Sequence, residues 1–236
     1  SIAWLECDFE RSWAQAKQGA DAITEPSRRA PANLIGFSKS GVYAGDLDGA
    51  LDMLDRAFVM ASDFDDVVSQ GNARRQGAVI AALKGEHDLA WRWMHQAIAL
   101  HERDESPLGS AQSAASMALV AWLSGDVSVA RSWARTAIDR ARRQLDVQTV
   151  AVALPVIAAI EVDETPARAA ALLGWLDVLL DDQHHTPHPT AAEPTATAKT
   201  ALAALDASQV RAWRARGAAM TATEMLRLAA GEWSID

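Results

Sequence analysis

The chain has 236 residues, half of them apolar, and carries 22 Lys and Arg against 31 Asp and Glu, a net charge of −9. That balance argues against a nucleic-acid surface, which needs clustered cations, and no apolar run approaches the roughly 20 residues that span a bilayer. Abundant Ala with few β-branched runs favours an all-α protein, and one cysteine, Cys7, permits no intrachain disulfide, which fits a reducing cytoplasm.

In chain order, the apolar spacing predicts a helix over Phe9 to Ile23, then a loop punctuated by Pro26 and Pro31. Helix pairs follow at Ala32 to Ala44 with Leu47 to Met60, Asp66 to Lys84 with Asp88 to Glu102, and Pro107 to Ser124 with Val127 to Arg143. Pro155 lies inside the apolar segment Val147 to Val162 and should kink or restart it, since an interior proline costs ~3 kcal/mol. From Asp181 to Thr197 three prolines and no large apolar side chain predict a loop. Three short helices close the chain: Ala198 to Leu205, Ala207 to Arg216 and Ala222 to Ala230. The last opens on a capping box, Thr221 with Glu224.

Three stretches share one template. Gly45-Asp46 with Ala50, Ala57 and Phe58, Gly85-Glu86 with Ala90, Ala97 and Ile98, and Gly125-Asp126 with Ala130, Ala137 and Ile138 recur every 40 residues. Gly ends one helix in a left-handed cap, the acid starts the next, and each Ala admits a close helix neighbour. The template extends weakly to Cys7-Asp8 upstream and to the turn around Asp163, Glu164 and Thr165 downstream. Only Ser1 to Glu6 precede the first turn, too few for a partner helix, so the first repeat is expected to be truncated and the chain to be a piece of a longer protein. The expected organisation is helical repeats over 1–181, a Pro/His-rich loop over 182–197 and a C-terminal helical cap over 198–236.

The Gly-Asp turn with its two Ala positions resembles the tetratricopeptide repeat. The period exceeds that family's usual 34, and its first-helix aromatic and glycine are replaced by Leu34 and Ser38, Arg74 and Ala78, and Ala114 and Ala118. The longer period is similar to the repeat arrays of large bacterial signal-transduction ATPases and LuxR-type transcriptional activators. Ala169-Ala-Ala-Leu-Leu-Gly174, a Pro-rich loop and Arg214-Ala-Arg-Gly-Ala-Ala-Met-Thr-Ala-Thr-Glu224 resemble the end of the helical domain in actinobacterial regulators of that kind. Trp175 and Met225 stand where that family usually has Ala. The resemblance implies a right-handed solenoid of helical hairpins that senses or binds a partner on behalf of other modules.

Motifs for chemistry are weak beside this. Gly36-Phe-Ser-Lys-Ser-Gly41 imitates the start of a phosphate loop, but Val42-Tyr43 replaces the required Lys and Ser or Thr, so it reads as helix. His184, His185 and His188 beside Asp181 and Asp182 have metal-ligand chemistry, yet a Pro-rich segment lacks the rigid support such ligands need. Neither Cys7 nor any serine sits in a nucleophile motif. Asp63, Asp65, Asp66, Asp104 and Glu105 suit helix ends. Of nine tryptophans, Trp13 and Trp91 share one template position and Trp93 and Trp133 another, which predicts repeated packing roles.

Carried onto this template, the tetratricopeptide arrangement turns each first helix toward an inner groove and exposes Lys39 and Tyr43, Asn72 and Arg75, and Gln112 and Trp122. These six are the candidate groove residues. The expectation is a non-enzymatic domain with neither cofactor nor metal, binding a protein, a peptide or a small effector as part of a larger bacterial regulator. It would touch no nucleic acid or membrane itself. A free-standing scaffold is the alternative, with a metal-dependent hydrolase using the His-rich loop behind it.

Overall fold

A computed structural model describes residues 8–25, 27–143, 146–182 and 189–234. They form helices and no strand: α1 (Phe9–Asp21), α2 (Ala30–Ala44), α3 (Leu47–Asp63), α4 (Val67–Leu83), α5 (His87–Arg103), α6 (Pro107–Leu123), α7 (Val127–Ala141), α8 (Val147–Glu161) and α9 (Pro166–Asp182), a 3-10 turn (Pro189–Ala191), then α10 (Ala192–Ala203), α11 (Ala207–Ala218) and α12 (Ala222–Ala230). The fold is all-α and repeat-like, with most successive helices inside each unit packed as neighbours. It divides into two compact units, Ser1–Ser110 and Ala111–Asp236, the boundary falling inside α6.

The 40-residue template has the physical cause its residues suggest. Gly45, Gly85 and Gly125 all adopt left-handed backbone, with φ of 81°, 78° and 81°. Asp46 and Asp126 then accept the backbone N–H of Gly49 and Val129, satisfying donors that a helix start leaves open. The Ala positions 50, 57, 90, 97, 130 and 137 are all fully buried, which is why the template tolerates nothing larger there. The structure adds a shorter period. Asp65 and Glu105 take the same left-handed turn, at φ 51°, between one hairpin and the next, so the turns at 45, 65, 85, 105 and 125 fall every 20 residues. The sequence hides this half-period because the odd turns carry glycine and the even ones do not. Asp66 caps α4 by accepting from Ser69 N–H, as expected for an acid beside a turn.

In the first unit α1 packs on α2, α2 on α3, α3 on α4 and α4 on α5, and the first helices α2 and α4 also touch. Trp13 anchors one core. Its indole Nε1 donates to Asp46 Oδ2 at 2.8 Å, so the acid that caps α3 also holds α1. The ring fills space left by two glycines: a β-carbon at Gly49 would stand 2.8 Å from it and one at Gly41 3.0 Å. Trp91, its template mate, is half-buried and stacks on His95, so this pair shares a position without sharing a role. Gly36 to Gly41, the phosphate-loop look-alike, is uninterrupted helix in α2.

In the second unit α7 packs on α8 and α8 on α9 around a core that includes Ala158, Ala169, Ala170 and Leu173. The turn near Glu164 closes without glycine, through Thr165 N–H donating to the Glu161 carbonyl at 2.7 Å. Of the two outcomes expected at Pro155, a restart is not seen: α8 continues as helix from Val147 to Glu161 through it. Val150, Ala153, Leu154, Val156, Ile157 and Ala158 are all buried on both sides of it, and this burial holds the two half-helices on one core despite the lost hydrogen bond.

The C-terminal helices begin earlier than their prolines suggest. Residues 189–191 are a 3-10 turn and 192–197 are already helix, because Pro194 sits in the first turn of α10, where its missing N–H has no partner to lose. His184, His185, His188 and Cys7 lie outside the described residues. α10 packs on α8, α11 on α9, and α12 on both α7 and α9. The two segments that carry the specific resemblance cross each other. A β-carbon at Gly174 would stand 2.2 Å from the Arg214 carbonyl oxygen, and one at Gly217 2.0 Å from that of Ala171. Two glycines thus let two helix backbones touch.

Candidate functional site

The six candidate groove residues divide between the two units. In the first, Lys39 and Tyr43 lie on α2 and Asn72 and Arg75 on the adjoining α4, all four half-buried. Tyr43 faces back toward α1: its ring stacks on Phe9 with centroids 4.8 Å apart, and burial pushes its hydroxyl up to about 12. Lys39 borders a cleft of about 320 Å³ between α1 and α2. Ser12 and Gln15 line it from α1, and Gly36, Phe37, Lys39 and Ser40 from α2. The Ser12 and Ser40 hydroxyls, both buried, are hydrogen-bonded to each other at 3.1 Å.

On α4, Arg75 Nη2 donates to Asn72 Oδ1 at 3.3 Å, as residues three apart on a helix can. Beside this pair lies a residue the sequence did not single out. His101, at the end of α5, is fully buried and hydrogen-bonds the Val68 backbone. Burial first, then the Arg75 charge, push its imidazole down to about 4, against the opposing pull of Asp104. Its bulk fits only because two glycines face it: β-carbons at Gly71 and Gly109 would stand 2.6 and 2.7 Å from the ring. Sixteen residues past the template glycine, where His101 stands, the other copies have Ala61 and Ala141, both fully buried. A histidine in an alanine place, with glycines at 71 and 109, was the available signal. It is a compensated core substitution, and at neutral pH the ring is uncharged.

In the second unit Gln112 Nε2 donates to Asp146 Oδ2 at 3.2 Å, and Asp146 also accepts Thr149 N–H at 2.8 Å, so Gln112 ties α6 to the cap of α8. Trp122 is half-buried. The densest charge in this unit lies elsewhere. Glu161, 4 % exposed, meets Arg168 Nη1 at 3.0 Å and Arg131 Nη1 at 3.5 Å. Burial raises its carboxyl above the usual range, opposed by both arginines. Arg168 Nη2 also donates to the Ala229 carbonyl at 2.8 Å, and Arg142 meets Glu232 at 2.6 Å, so these ions fasten the end of α12 to α7 and α9. A guanidinium on the last carbonyls of a helix offsets its dipole, which is a structural task.

Among the described residues no group of three or more His, Cys, Asp or Glu converges as metal ligands would. Nor is any described helix long and apolar enough to cross a membrane. Neither protein-family models nor curated protein sequences match the chain.

Proposed function

We propose that this chain is a tetratricopeptide-like interaction domain of a larger bacterial regulator of the signalling-ATPase or transcriptional-activator kind, acting in the cytoplasm and recognising a protein or peptide rather than catalysing a reaction. The observation that carries this reading is the side-by-side placement of α2 and α4, whose half-buried Lys39, Asn72 and Arg75 belong to the first helices of successive template copies. Rigid, regularly spaced helices offering separated polar anchors suit an extended partner, since a few well-placed contacts dominate such binding. Binding there would bias how neighbouring hairpins pack and so pass free energy to attached modules.

The test is site-specific photocrosslinking in the longer protein. A benzoylphenylalanine at position 39 or 72 should capture the same partner, or the same segment of another module, whereas one at the exposed Glu102 of α5 should not. Absence of any crosslink from positions 39 and 72, or an identical product from position 102, would remove the proposal.

A further inference from the structure

We draw no further inference here: the strongest candidate, the side-chain cluster of Arg131 and Arg168 around the buried Glu161 where α7, α8 and α9 meet, belongs to the ion network already described, in which both guanidiniums are engaged by Glu161 and that of Arg168 also by the Ala229 carbonyl at the end of α12.

Discussion

Acidification offers a sharp test of how His101 is built into the first unit. The folded imidazole titrates at about 4, against 6.5 for an ordinary histidine, and the unfolded chain recovers the ordinary value. The group's folded pKa is depressed, so below 6.5 the unfolded state binds the proton more readily, and stability present above pH 6.5 is lost as pH falls toward 4. The gap between 6.5 and about 4, at roughly 1.4 kcal/mol per pK unit, sets a limit of roughly 3 kcal/mol, most of which is lost by pH 4. The charged groups facing the ring are Arg75, which adds to the loss, and Asp104, which opposes it. The assay is urea unfolding of wild type and His101→Ala at several pH values from 7.5 to 4. Carboxylates common to both proteins cancel in the difference. The variant should be less stable at pH 7.5, because Gly71 and Gly109 leave a cavity that Ala does not fill, but its stability should fall by about 3 kcal/mol less on acidification. Equal pH dependence in the two proteins would refute the assignment of a buried, neutral imidazole.

Gly174→Ala or Gly217→Ala drives a methyl group to within 2.0–2.2 Å of a backbone oxygen and forces α9 and α11 apart; each should lower unfolding stability by about 3 kcal/mol, whereas Gly36→Ala should be neutral or stabilising. At the left-handed turns Gly85→Ala should cost about 1 kcal/mol by backbone strain alone, since its β-carbon would meet nothing, while Glu105→Gly should gain a comparable amount; thermal midpoints shifting in the same direction would refute the shared turn geometry. Ala90→Leu should overpack the fully buried helix contact and destabilise by about 1–3 kcal/mol, and a chemical denaturation midpoint equal to wild type would contradict the repeat register.

By itself the sequence determined the helical class and the 40-residue period, because these follow from local choices. A glycine is favoured where backbone turns left-handed, an acid where a helix begins, and an alanine where two helices touch, and each preference acts within a few residues. The same locality explains where an expectation failed. Pro194 marks a loop on propensity, yet it sits where its missing N–H costs nothing, and Pro155 stays inside one helix because residues on both sides of it are buried. What the tertiary structure alone decided is which side chains meet. Trp13 reaching Asp46, His101 wedged between Gly71 and Gly109, Gly174 crossing Gly217, and the polar cleft at Gly36 all join residues of different helices. Of the candidate groove residues, Lys39, Tyr43, Asn72 and Arg75 were legible as helix positions, but that Tyr43 stacks on Phe9 and Lys39 borders a cleft could not be read from spacing. Periodicity fixes a side chain's angle around its own helix, and only packing fixes what stands opposite.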